Sequence, residues 1–227
     1  MIVGYRTYLA LIEPSLLEGK ETLSTGMMDE IRRCQSAIEE ALKGRDTAVV
    51  SSGDAGIYGM AGLILELLDG QQLTDRVEVE VIPGTPAFAA AASLLGAPLM
   101  HDFACISLSD LLTPWEVILS RIEATAKADF VLVLYNPRSK KRHWQLGAAL
   151  DLIRRHRNGS TPVGIVKNAM REGQSVEVTT LSMLDESRVD MLSILLVGNS
   201  RTRMAGKRMV TPRGYMEKYH HSLEKAK

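Results

Sequence analysis

A chain of 227 residues can form one large domain or two small ones, and either would bury a real core. With 45% hydrophobic and 24% charged residues it has the composition of an ordinary globular protein; no apolar run is long enough to cross a bilayer, and no secretory signal pattern stands at the start. The formal net charge is zero, but residues 1–113 hold 7 Lys/Arg against 16 Asp/Glu and the remaining residues hold 20 against 11, so the two halves carry −9 and +9. That asymmetry suggests two units and a polyanionic ligand for the second; solvated faces that differ in sign would give the same count. Cys34 and Cys105 have no metal-ligand or redox spacing, and free thiols in a reducing cytoplasm are expected.

In chain order, strands alternate with helical stretches, which predicts α/β architecture. Ile2-Val3 reads as the end of a strand. Residues 28–42 carry apolar side chains at helical spacing, with Lys43-Gly44 as the stop. A short apolar strand over 47–51 runs into a glycine-rich turn, and a helix is expected over 57–68. A strand over 77–82 ends at Pro83-Gly84, a small-residue helix covers 87–95, and 103–108 reads as the last strand of the first unit. The joint is placed near residue 110, giving units 1–110 and 111–227. Beyond it come a helix over 115–127, a strand over 130–134, a helix over 144–156, and strands over 163–166, 175–180, 192–197 and 208–211. Several of these strands lack a long helix between them, so the second sheet is expected to be mixed. From Met216 onward the tail reads as a frayed basic helix.

The densest local signal is Ser51-Ser52-Gly53-Asp54-Ala55-Gly56-Ile57-Tyr58-Gly59, where a strand opens through glycines toward a helix. Ligands of open α/β sheets bind outside such strand ends, and glycine lets backbone N–H groups approach them. The Lys-Ser/Thr of a phosphate loop is missing and Asp54 would repel phosphate, so a cationic or hydroxyl-bearing ligand fits better; a tight turn with Asp54 capping the next helix is the alternative. Ile82-Pro83-Gly84-Thr85-Pro86-Ala87 is a second strand-to-helix turn. Further polar strand ends are Tyr135-Asn136-Pro137-Arg138, Lys167-Asn168-Ala169 and Thr211-Pro212-Arg213, and several such ends together point to a shared crevice. No His-Glu-x-x-His, Cys/His cluster or Gly-x-Ser-x-Gly is present, so hydrolase and zinc chemistry have no support and no metal site is expected.

Residues 51–59, Pro83 to Ala87, the run 91–115, Tyr135 to Arg138 and Val210 to Tyr215 resemble the tetrapyrrole methylase family. The segment Gly96-Ala97-Pro98-Leu99-Met100-His101-Asp102-Phe103, with Ser107-Leu108-Ser109-Asp110-Leu111-Leu112-Thr113-Pro114-Trp115, resembles the branch that methylates C(17) of a corrin precursor. The resemblance implies a two-domain α/β fold, each domain a mixed sheet flanked by helices, and a homodimer with S-adenosylmethionine folded between domains. It implies cofactor contacts at Ser52, Gly53, Asp54, Ile57, Pro86, Ala87, Asn136 and Ala169; Pro86 replaces a threonine common in the family, leaving backbone contacts there. The family's opening strand and Gly-x-Gly-Pro-Gly turn, expected ahead of Ile2–Tyr5, are not in this sequence, and the natural protein is expected to be longer.

The implied reaction joins the sulfonium methyl to a nucleophilic ring carbon and contracts the macrocycle, which requires removal of a proton from a ring hydroxyl. Asp110, His101 and Lys167 are the candidates for that step, because each exchanges a proton. Ser109, Arg138, Arg142 and Arg213 are the candidate contacts to a tetrapyrrole rich in carboxylates, which suits the positive second half. No nucleic acid or membrane partner is expected, and the setting is cytoplasmic. A sibling enzyme acting at another corrin carbon, an RNA methyltransferase and a non-catalytic binder of cofactor or tetrapyrrole are the alternatives.

Overall fold

The computed structural model describes residues 1–26 and 28–224 and separates into two compact units, Met1–Pro86 and Ala87–Lys227. In the first, β1 (Ile2–Tyr5), α1 (Arg6–Leu9), α2 (Pro14–Leu17), β2 (Thr22–Thr25), α3 (Glu30–Leu42), β3 (Ala48–Val50) and α4 (Ala61–Gly70) follow in order. The three strands form a parallel sheet in the order β2-β1-β3. The helical spacing seen in the sequence places Cys34, Ala37 and Ile38 of α3 on its buried face. Arg33 on the same helix is 3% exposed, and its guanidinium donates to Thr25 Oγ1 at 2.6 Å and to the Gly26 carbonyl at 2.9 Å, tying α3 to the end of β2. Residues 77–82 depart from expectation. They form no strand, and Val81 and Ile82 are 43% and 65% exposed. An alternating apolar pattern makes a strand only where a neighbour completes its backbone hydrogen bonds, and no described strand pairs with this segment.

The second unit contains α5 (Ala87–Leu95), β4 (Gly96–Ala97), β5 (Phe103–Ser107), α6 (Trp115–Lys127), β6 (Val131–Tyr135), α7 (Gln145–Arg154), β7 (Pro162–Lys167), β8 (Ser175–Thr180), β9 (Ser193–Val197), β10 (Arg203–Ala205), β11 (Arg208–Val210) and α8 (Tyr215–Glu224). The helix expected in the tail is α8, with residues 225–227 of that expectation outside the described residues. Its main sheet has the order β5-β6-β9-β7-β8, with β5 and β6 parallel and the other neighbours antiparallel. The sheet is mixed, as the scarcity of connecting helices indicated. The strand anticipated at the end of the first unit is β5, but it hydrogen-bonds to β6 from Phe103 to Ser107. It therefore belongs to the second unit, and the chain divides after residue 86 where 110 was expected. Sequence order could not reveal this, because which strand a segment pairs with depends on the fold.

Successive residues of β6 and β9 point to opposite faces, and both faces are covered. Leu132, Leu134, Leu195 and Val197 pack with Ile118 and Ile122 of α6 and with Leu146, Leu150 and Ile153 of α7. Val133, Ile194 and Leu196 pack with Ala91 and Leu95 of α5. The small-residue helix comes so close that a Cβ on Gly164 of β7 would sit 2.4 Å from Leu95 Cδ1, so its alanines serve helix–sheet packing. A smaller sheet, β10-β11-β4, adds Met209 to this layer. Past the ends of α6 and α7, the Arg157 side chain is 2% exposed and donates to the carbonyls of Ala126 at 2.5 Å, Phe130 at 2.8 Å and Gly198 at 3.3 Å, with Asp129 Oδ1 at 3.3 Å. Burial pulls its pKa below the ordinary arginine value, and Asp129 opposes the shift.

Candidate functional site

In the first unit β3 feeds the loop that carries Ser52, Gly53 and Asp54. Gly53 has φ +76°, a conformation open to glycine, and a Cβ on Gly84 would lie 2.0 Å from the Gly53 carbonyl oxygen. The two glycine turns are thus in direct backbone contact. Asp54 joins them: Oδ1 accepts the Gly56 N–H at 2.8 Å and Oδ2 the Gly84 N–H at 3.0 Å. The helix that follows starts at Ala61 with Met60 at its cap, so Asp54 braces two turns and does not cap α4. Ile57 is 37% exposed on the same loop, and Pro86 ends the unit just past the second turn.

The N–H bonds from Gly84 and Gly56 hold the Asp54 carboxyl below its ordinary range. A group whose folded-state pKa is depressed makes its contribution fully above the ordinary carboxylate value and loses it as the pH falls through the lowered one. The amide proton shifts of Gly56 and Gly84 are accordingly expected to titrate together, with a midpoint below that of an ordinary aspartate, and to stop doing so in Asp54→Ala. Independent titration of the two amides would refute the bridge.

In the second unit β5, β6 and β7 point the same way, so their carboxyl ends share one edge of the sheet. That edge collects most of the polar residues singled out in the sequence. Ser107 ends β5 and Ser109 and Asp110 follow it, Asn136, Arg138 and Arg142 follow β6, and Lys167 and Ala169 lie at the end of β7. Asn136, at φ +49°, donates from Nδ2 to Ser107 Oγ at 3.0 Å, and its carbonyl accepts Arg142 Nε and Nη2 at 3.2 and 3.1 Å. Part of the Arg142 fork is therefore spent on bracing its own loop. Arg138 Nη1 donates to the Glu186 carbonyl at 2.7 Å. Lys167 pairs with Asp190, whose carboxyl burial alone would raise; hydrogen bonds from Lys167, the Leu192 N–H and Ser193 outweigh that and hold it below the ordinary range. Ala169 packs against the α5 layer between Asn168 and Met170, both at positive φ.

Asp110 is exposed and receives Gln145 Nε2 on Oδ2 at 2.9 Å. Beside it Leu111 and Leu112 are 75% and 93% exposed. Trp115 and Trp144 meet edge to face, centroids 5.1 Å apart, where α6 and α7 begin. Polar strand ends beside a bare apolar pair suit a flat ligand with a polar rim. Sequence reasoning missed three members of this edge. Ser107 opens a run that resembles the family but is not among the expected contacts, Asp190 carries no motif, and Gln145 looked like an ordinary first-turn residue of a helix; only burial and pairing single it out.

The structure does not bring all three proton-transfer candidates together. His101 precedes β5 and Asp110 follows it, so the five residues of the strand separate them by about 17 Å, while Lys167 lies on the Asp110 edge. His101 Nδ1 accepts the Asp102 N–H at 2.8 Å, which leaves Nε2 as the protonated nitrogen of the neutral ring. With Leu99, Met100, Asp102 and Arg213 it lines a separate hollow of about 430 Å³. Ala87 opens α5, where Tyr135 Oη accepts the Phe88 N–H at 2.9 Å. Neither Cys34 nor Cys105 is in a disulfide, and burial pushes each thiol up to about 11, so they stay protonated at neutral pH. Among the described residues no group of three or more His, Cys, Asp or Glu side chains could hold a metal ion, and no helix is long and apolar enough to cross a membrane.

Two α/β units whose candidate site residues sit largely on strand ends define a class that sequence comparison resolves. Residues 1–185 match the tetrapyrrole (corrin/porphyrin) methylases, and the chain belongs to that family. It is 54% identical over 215 residues to a probable cobalt-factor III C(17)-methyltransferase of Salmonella typhimurium, covering 95% of this chain and 88% of the relative. It is 49% identical over 221 residues to the cobalt-factor III methyltransferase of Priestia megaterium, covering 96% of this chain and 41% of that longer protein. Among solved structures, the methyltransferase CobJ superposes with a TM-score of 0.88 at 37% identity, over 93% of this chain and 87% of that one. The two-domain tetrapyrrole methylase fold anticipated from the sequence is the one observed.

Proposed function

We propose that this chain is an S-adenosylmethionine-dependent C-methyltransferase that methylates C(17) of precorrin-3B or cobalt-factor III, with ring contraction, on the route to cobalamin. The observation that carries the reading is the carboxyl edge of the β5–β6–β7 sheet: Ser107, Ser109, Asp110, Asn136, Arg138, Arg142 and Lys167 stand there beside the exposed Leu111 and Leu112. A corrin precursor is a flat apolar ring with a carboxylate rim, and this edge offers it a matching surface. Kinship with cobalt-factor III methyltransferases supports the choice of substrate.

The methyl donor fits the first unit. Gly84 packs against the Gly53 carbonyl with no room for a Cβ, and the Asp54 carboxylate, which takes backbone N–H groups from both turns, keeps acceptor capacity for an ammonium or ribose hydroxyl. Ser52, Gly53, Asp54, Ile57 and Pro86 are the proposed donor contacts there, and Ala87, Asn136 and Ala169 those in the second unit. When bound, S-adenosylmethionine supplies an electrophilic methyl group, and the protein's main contribution is orientation. Asp110 takes the ring-hydroxyl proton onto its carboxylate, leaving the bonding pair on oxygen; it is preferred over Lys167, which is committed to Asp190, and over His101, which is off this edge. Ser109, Arg138 and Arg142 hold the substrate rim, and Arg213 is the corresponding candidate at the His101 hollow. A cytoplasmic homodimer is part of the same reading.

The test is turnover. The purified protein, given S-adenosylmethionine carrying a ¹³C methyl and either cobalt-factor III or precorrin-3B, is expected to yield a ring-contracted product labelled at C(17) by NMR. Label at a different carbon would make it a sibling enzyme, and donor binding by calorimetry without product from either substrate would leave only a binder.

A further inference from the structure

Gln145 is the first residue of α7, 4% exposed, in a position where a helix facing a core ordinarily carries an apolar side chain. Its amide nitrogen donates to Asp110 Oδ2 at 2.9 Å, and its amide oxygen is buried with no hydrogen-bond partner. As packing this is a poor choice. A methionine would fill the same volume and bury no unsatisfied acceptor. The neighbouring Leu146 is fully buried in the core and Trp144 stands against Trp115, so the backbone at Gln145 is held by flanking apolar contacts that do not require the amide. The contact that the amide does secure is with the exposed carboxylate on the ligand-facing edge.

We propose that Gln145 is a positioning residue for Asp110: it pins one carboxylate oxygen from behind and leaves the other turned toward the ligand, where it can accept a proton. This rests on the reading of Asp110 as the proton acceptor. An N–H donated to one carboxylate oxygen fixes the orientation of the carboxylate, and removing the donor frees it to rotate away from the productive geometry.

The experiment measures kcat for ring contraction of cobalt-factor III, and the KM for S-adenosylmethionine, in the natural protein and in Gln145→Met, Gln145→Glu and Asp110→Asn, with thermal unfolding of each. Gln145→Met is expected to unfold no lower than the natural protein and to lose roughly tenfold in kcat, with the KM for the methyl donor unchanged. Gln145→Glu keeps the shape of the side chain but replaces the donating amide with a carboxyl, so its kcat falls at least as far. A kcat that stays in place in both variants, whatever their stability, overturns the proposal. Full ring contraction in Asp110→Asn instead overturns the reading beneath it.

Discussion

Asp110→Asn is expected to slow ring contraction by roughly 100- to 10,000-fold, the range over which a positioned general base accelerates a proton transfer. Asparagine keeps the size of the side chain and an oxygen to receive the Gln145 amide, so the loop after β5 should hold its shape. It removes the one property at issue, the ability to take a proton near neutral pH. Donor binding, assigned to other residues, should survive. His101→Gln is the informative comparison, because that residue lies at the far end of β5 beside Arg213. Rates are measured in single turnover with enzyme in excess, so that slow product release does not mask the chemical step. A normal rate for Asp110→Asn with a large loss for His101→Gln would move the proton acceptor to the other end of the strand.

The largest effect on stability is expected from Arg157→Met, about 3–5 kcal/mol in the second unit. Methionine replaces much of the side-chain volume but none of its donors, so in a buried setting the carbonyls of Phe130 and Gly198 lose the guanidinium and that of Ala126 keeps only the Asp129 N–H at 3.1 Å. Asp129 loses its cation as well, while still accepting the Ser200 N–H at 3.0 Å. Buried backbone acceptors left without donors carry the desolvation penalty in full. Trp115 and Trp144, the chain's two tryptophans, both belong to this unit, so urea unfolding followed by their fluorescence reports on it directly. A midpoint unchanged from the natural protein would show that those carbonyls find other partners.

The helices and most strands were legible in the sequence because their cause is local. Cys34 and Ile38 stand at helical spacing and α3 buries both, though Ile31 of the same series is exposed; the sequence predicts a helix over 115–127 and α6 covers the same span. The unbroken apolar runs of β6 and β9 mark strands covered on both sides, which they are. The glycine turns and polar strand ends were likewise visible, since a backbone that bends sharply at a strand's end needs particular residues in order. Residues 77–82, with the right alternation, form no strand, because alternation supplies a face and not a partner.

What the tertiary structure decided is pairing. It gave β5 to the second unit, brought Asp110 and Lys167 to one edge, and left His101 at the far end of β5. It made Asp54 a brace between two loops, where capping the next helix had been the alternative to a ligand-binding turn. Gln145 and Arg157 carried no signal in the sequence at all. Their importance comes from burial beside a particular carboxylate or set of carbonyls. A one-dimensional pattern can reveal which way a side chain faces. It cannot reveal which polar atom, dozens of residues away, will be waiting there in a place without water.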